Sequence, residues 1–231
     1  AGQTQRRHAG KCWISGHLQA LRYANAPIVR TLPMNRPLSD TLLAPGPLML
    51  AVMIVAAALS RFLPMPPNFA PVVAVALFAG AFFAHRGLAV AVPLLVMALS
   101  DLALGLVRGG TFMEYFTTSM YAPSLLINYA CMALIVVLAY GLRGRVTGGR
   151  VLGYSLAGSA LFFAVSNFAV WLTAMSVPGH AACMAGLMPC YVAAVPFFKW
   201  TVLGTLFYSA LLFGGFAMLR ARIPMLRAQT V

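Results

Sequence analysis

The sequence predicts an all-α, polytopic membrane protein with six transmembrane helices and both termini in the cytoplasm. Three observations carry that expectation. Hydrophobic residues make up 61% of the 231 and charged residues only 8%, with a mean hydropathy of +0.88. Soluble domains carry roughly 25% charged residues, so lipid must cover much of this surface. Six apolar runs are long enough, or nearly so, to cross a bilayer as helices. Finally, the basic residues punctuate these runs unevenly, in the way that sets orientation.

The runs fall at about 47–63, 70–84, 88–107, 121–142, 151–175 and 192–219. The second is short. A tight turn through His85, Arg86 and Gly87 joins it to the third, so the two form a helical hairpin. Pro and Gly inside the runs do not veto them, because membrane helices tolerate both.

Charge between the runs gives the orientation. Arg36 precedes span one, Arg86 separates two and three, Arg143, Arg145 and Arg150 separate four and five, and Arg220, Arg222 and Arg227 follow six. The alternate loops hold only Arg61 and Arg108, with Lys199 just inside span six. The asymmetry places both ends inside and the loop carrying Cys183 and Cys190 outside. A disulfide there and two free thiols are both compatible with the sequence. Cys131 lies in an apolar run and is most simply packing.

Residues 1–46 form a basic segment expected to be disordered, 47–219 the membrane domain, and 220–231 a short basic cytoplasmic tail. Residues 1–33 contain Arg6, Arg7, Lys11, Arg22 and Arg30 and no acid. They fit a cytoplasmic tail, translated sequence upstream of a start at Met34, or, more weakly, an Arg-rich targeting segment.

Several functions are excluded. The formal charge of +13 does not indicate nucleic acid, because the basic residues form no patch with interleaved aromatics. There is no HExxH, no GxSxG, no phosphate-cradling Gly-Lys loop and no paired carboxylate, so no enzyme activity and no catalytic residue is expected. His8, His17, His85 and His180 are scattered without metal-ligand spacing, and no metal or cofactor is expected. Without a nucleotide-binding motif the chain cannot energise transport by ATP on its own.

The sharpest anomaly is Asp101, one of three acids, inside the run Leu88 to Val107. A carboxylate at that depth costs several kcal/mol unless it has a partner or reaches water. Under the orientation above, Ser100 and Asp101 lie in the outer half of span three. Ser166, Asn167 and Trp171 lie in the outer half of span five, and Lys199, Thr201 and Thr205 in the outer part of span six. Asn68, Cys190 and Tyr191 sit at outer mouths. The inner halves are plainer. Phe163, Asn167 and Trp171 share one helical face, as do Thr201, Thr205 and Tyr208, and Met97, Asp101 and Gly105. If these stripes face inward they enclose a polar pocket open to the outside. It would hold one carboxylate, one ammonium, one carboxamide, hydroxyls and aromatic rings, a mixture suited to a small polar or partly aromatic solute.

Each group also has a plainer role. Asp101 pairs with Lys199 or a helix end and holds the bundle together. Lys199 snorkels to the interface. Ser and Thr bond backbone or a neighbouring helix, and Trp171 and Tyr191 are interface aromatics. Asn167 resists this reading most, since a buried carboxamide needs several partners. Small residues at Ala76, Gly80 and Ala84, and at Gly204 and Gly214, permit close helix contact within the chain or with another protein. The loop TFMEYFTTSMY after span three reads as interfacial packing or as a lid.

Four ordered segments carry a resemblance: LPMPPNFAPVVAVALFAGAFF, PLLVMALSDLALG, GSALFFAVSNFAVWL and CYVAAVPFFKWTVLGTLFY. Over Leu63 to Gly214 the chain resembles an uncharacterised group of bacterial six-helix membrane proteins regarded as transport proteins. More distantly, it is similar to the substrate-binding S components of energy-coupling-factor (ECF) transporters. That second resemblance implies a micronutrient site near the outer face and a separate membrane protein with two ATPases as energising partner. One departure weakens any proton- or cation-coupled role. The first group carries an acid where this chain has Thr205, and an Asn where it has Trp200.

The expectation is therefore a solute-binding or uptake protein of the bacterial cytoplasmic (inner) membrane, embedded in the lipid bilayer. Asp101, Asn167, Trp171 and Lys199 contact the ligand, with Asn68, Ser166, Tyr191 and Thr205 around them. The alternative is a structural or assembly membrane protein whose polar cluster only locks the helices.

Overall fold

The structure, a computed structural model, describes residues 44–107, 109–111, 122–174, 181–223 and 226. All belong to one compact unit, Ser39–Val231. The expectations for residues 1–43, for the aromatic loop at 112–121 and for the tail beyond 226 lie outside the described residues.

Every regular element among the described residues is helical. Helix α1 spans Pro45–Leu59, opened by proline in its first turn, where the missing N–H costs no hydrogen bond. It tightens into a 3₁₀ turn at Ser60–Phe62. A Pro-rich extended segment, 63–71, leads to α2, Val72–Phe82. Helix α3 spans Arg86–Val107 and α4 Ala122–Ala139, followed by a 3₁₀ turn at Tyr140–Leu142. Helix α5 is Gly148–Thr173, where the Thr147 hydroxyl accepts from the Arg150 N–H as an N-cap. A short turn of helix, α6, covers Ala181–Met184. Helix α7, Leu187–Ser209, runs through a π turn at Ala210–Gly214 into α8, Gly215–Arg222.

Five of these stretches are long and apolar enough to cross a membrane: Pro45–Phe62, Arg86–Val107, Leu125–Leu142, Gly148–Thr173 and Leu187–Arg222. The chain is a multi-pass membrane protein on that ground. The second expected span is different. Helix α2 has 11 residues, about 16 Å at 1.5 Å per residue, against a hydrocarbon core of about 30 Å. The Pro-rich stretch before it cannot continue the helix, because Pro64, Pro66, Pro67 and Pro71 lack the N–H groups that helix requires.

Helix α2 is instead the axis of the bundle. Every residue from Val73 to Phe82 is buried, the condition that a helix apolar on all sides demands. Helices α3, α4, α5 and α7 pack around it. At Gly80 the approach of α4 is closest: a Cβ there would lie 2.5 Å from the Val136 carbonyl oxygen and 2.7 Å from the Ala139 Cβ. Close contact at this small residue is thus made within the chain. The carbonyls left open at the end of α2 are met by Arg143, whose Nε donates to Gly80 O at 2.9 Å and Nη2 to Phe83 O at 2.8 Å. Its guanidinium also lies over the Tyr140 ring, 4.3 Å from the centroid. Below, the rings of Phe78, Phe82, Phe213 and Phe216 form an edge-to-face cluster that ties α2 to the π turn and α8.

Candidate functional site

Asp101 has a cationic partner, and it is not Lys199. The Arg61 Nη2 lies 2.5 Å from Asp101 Oδ1. Arg61 Nη1 donates to the hydroxyl of Ser100 at 3.0 Å, and the Tyr129 hydroxyl donates to Asp101 Oδ2 at 2.8 Å. Both carboxylate oxygens are therefore engaged. The network joins the turn after α1, the C-terminal half of α3 and the first half of α4. Both charged side chains are mostly buried, 20% and 17% exposed. Lys199 is exposed on α7, on one face with Val195 and Leu203, and its ammonium sits 5.3 Å from the Trp200 ring centroid. The expected Asp101–Lys199 pair is replaced because α7 turns Lys199 outward while the 3₁₀ turn after α1 carries Arg61 onto α3.

A cavity of about 450 Å³ lies beside this network. It is lined by α4, α5, α6 and α7 and by the 63–71 segment. Its polar lining is Asn68, Asn128, Ser166, Asn167 and Thr201. Phe162, Phe163, Phe197 and Phe198 supply aromatic walls, with the Phe163 and Phe198 rings 4.7 Å apart. Cys183 and Cys190 also line it, and they form a disulfide that ties α6 to the first turn of α7. The two asparagines on α4 and α5 come from helix ends that meet there, next to the ends carrying Asp101 and Arg61.

The backbone positions these groups for definite reasons. Asn68 takes a left-handed conformation, φ 67°, which asparagine tolerates better than other side-chain-bearing residues. The next two residues lie hard against α7: a Cβ on Gly204 would be 3.0 Å from the Ala70 nitrogen. Gly204 thus holds the Asn68 turn at the mouth. On α5, Asn167 Nδ2 donates to the Phe163 carbonyl at 2.8 Å, which leaves its Oδ1 as an acceptor. The side chains of Asn68, Asn128 and Ser166 make no hydrogen bond among the described residues.

Of the sequence-predicted site residues, Asn68, Ser166 and Asn167 are brought together around the cavity. The others are elsewhere. Asp101 belongs to the ion-pair network next door. Trp171 packs against the disulfide and Ala174. Tyr191 donates to the Ala164 carbonyl at 2.6 Å, Lys199 points away, and Thr205 is fully buried below Thr201. Thr205 is one step deeper along the same face of α7, in a seam with α5 whose register is set by the Ser155–Ser209 hydrogen bond at 3.0 Å. In that seam the hydroxyls of Ser159 and Thr205 have no hydrogen-bond partner among the described residues.

Sequence reasoning missed Asn128 and Tyr129. Asn128 is a lone carboxamide within an apolar run, the same signal that marked Asn167. Arg61 was counted only as a loop charge, although it follows span one at the level assigned to Asp101.

Residues 42–226 match the model of a family described as a family of unknown function, DUF6580. The chain belongs to that family. No curated protein and no solved structure matches it. The match covers the eight helices α1–α8 of the described residues, so the cavity and the ion-pair network both fall within the family's extent.

Proposed function

We propose that this DUF6580 protein binds a small solute, of the vitamin or micronutrient class, in the cavity between α4, α5 and α7. The observation that carries the reading is the cavity's lining. A space of about 450 Å³ is walled by four phenylalanines and presents Asn68, Asn128 and Ser166, whose side chains have no hydrogen-bond partner among the described residues. Ligand sites of this size are mainly apolar with a few placed polar groups. Unpartnered carboxamides in a partly buried site are costly unless a ligand or water meets them.

In this reading the cavity faces outward and both termini lie in the cytoplasm of a bacterial inner membrane. Arg86, Arg143, Arg145, Arg150, Arg220 and Arg222 gather at the opposite end of the helices, which supports that orientation. Helix α2 with the 63–71 segment makes the sixth passage, since it returns the chain from the Asn68 end to the Arg143 end. Uptake would then require an energising membrane and ATPase module, as the S-component resemblance implies.

The test is a thermal-shift series on the purified chain with a panel of vitamins and metal ions. A solute should raise the melting temperature in the native chain and not in Asn167→Ala. The reading fails if no compound produces a shift.

A second reading, a structural or assembly protein, is favoured by one observation: Asp101 is fully engaged with Arg61 and Tyr129. If that reading is right, the cavity takes no solute and the polar groups serve only packing.

A further inference from the structure

We propose that the cavity selects an uncharged, planar ligand with an amide-type edge, such as a lactam or carboxamide on an aromatic ring system. This rests on the solute-binding reading above and narrows it to a chemical class.

The first ground is charge. No Asp, Glu, Lys, Arg or His is among the described residues that line the cavity. The two charges that the sequence placed at this level, Asp101 and Lys199, are both outside the lining. Asp101 is held by Arg61 and Tyr129, and Lys199 is exposed on the outer face of α7. An ion entering the cavity would shed water and find no counter-charge among the described lining residues, a cost of several kcal/mol.

The second ground is the type of polar group. A carboxamide offers a donor and an acceptor side by side in one plane. Asn68, Asn128 and Asn167 therefore match a ligand edge that carries a carbonyl next to an N–H. Asn167 has committed an N–H to the Phe163 carbonyl and retains its acceptor. Asn128 retains both functions among the described residues. Ser166 and Thr201 add hydroxyls that adapt to either role.

The third ground is shape. Phe162 and Phe163 on α5 stand with Phe197 and Phe198 on α7 as aromatic surfaces of the same cavity. Rings of this kind pack best on a flat aromatic partner, offset or edge-on. They would also attract a cation by its charge, which makes a cationic ligand the competing outcome.

The experiment uses three matched probes: quinoline-3-carboxamide, quinoline-3-carboxylate and 3-(aminomethyl)quinoline. Saturable binding to the folded full chain in nanodiscs is measured by equilibrium dialysis. The carboxamide should bind at least about tenfold more tightly than either charged analogue, a difference of about 1.4 kcal/mol. Asn128→Ala and Asn167→Ala, each checked for retained helical content, should abolish that preference. Equal or tighter binding of the carboxylate or the amine overturns the ligand class and leaves the solute-binding reading standing. A preference that survives both substitutions overturns the assignment to this cavity. Binding of none of the three by folded protein overturns the ligand class, while the solute-binding reading stands or falls on the thermal-shift panel.

Discussion

Arg61 and Asp101, forty residues apart in sequence, form an ion pair that joins the end of α1 to α3, 2.5 Å between Nη2 and Oδ1. The Tyr129 hydroxyl closes the other carboxylate oxygen from α4. Three helices are thus tied by one carboxylate. Removing either charge strands the other in a mostly buried setting. Asp101→Asn or Arg61→Leu should lower stability by about 1–3 kcal/mol, between the values for exposed and fully buried pairs. The double variant should recover part of the loss in a thermal double-mutant cycle. Solute binding should be unchanged in Asp101→Asn, because Asp101 does not line the cavity.

Gly80 gives a packing prediction. A side-chain carbon there meets the Val136 carbonyl oxygen at 2.5 Å, and a backbone atom of a packed helix cannot step aside as a flexible side chain can. Gly80→Ala should destabilise by about 1–3 kcal/mol through overpacking. Gly153→Ala, where a Cβ meets nothing within 4 Å, serves as the control and should leave the melting temperature unchanged or raise it.

Thr205 predicts the opposite sign. Its hydroxyl is buried without a hydrogen-bond partner among the described residues. Thr205→Val keeps the shape and deletes the orphan group, so stability should rise by about 1 kcal/mol. A fall in melting temperature would show that water occupies the seam between Thr205 and Ser159 and bonds the hydroxyl.

The disulfide predicts both a stability and a labelling result. Cys183 and Cys190 close a short loop, a sequence separation of 7, so reduction should cost about 2 kcal/mol in the chain-entropy account. In a Cys12→Ser background, an impermeant maleimide should label intact cells only after reduction. Cys131 is fully buried and should stay unlabelled. Labelling only from the cytoplasmic side would reverse the proposed orientation.

Much of the molecule was legible in the sequence. Apolar runs of membrane length gave the long helices, because burial of backbone polar groups in lipid permits little else. Asn167 and Ser166 were marked by polarity within those runs and Asn68 by its place at the mouth of the second, and they do surround the cavity. The run 70–84 was already short in the sequence, and the prolines before it delay the helix further, until Val72. What periodicity could not reveal was that α2 is the enclosed axis of the bundle, which shows only once its neighbours surround it.

The partnership of Asp101 was likewise beyond sequence. Composition and periodicity by themselves determined that this chain is an all-helical membrane protein with one conspicuous carboxylate. Those properties depend on neighbours one to four residues away and on transfer from water to lipid. Only the tertiary structure decided that Arg61, not Lys199, neutralises Asp101, and that no charged side chain is among the described residues lining the cavity of Asn128 and Asn167. Such pairings depend on which faces of separate helices meet. A half-rotation of α7 about its axis carries Lys199 from the interior to the outside, and hydrophobic pattern constrains that rotation weakly in a helix apolar on most sides.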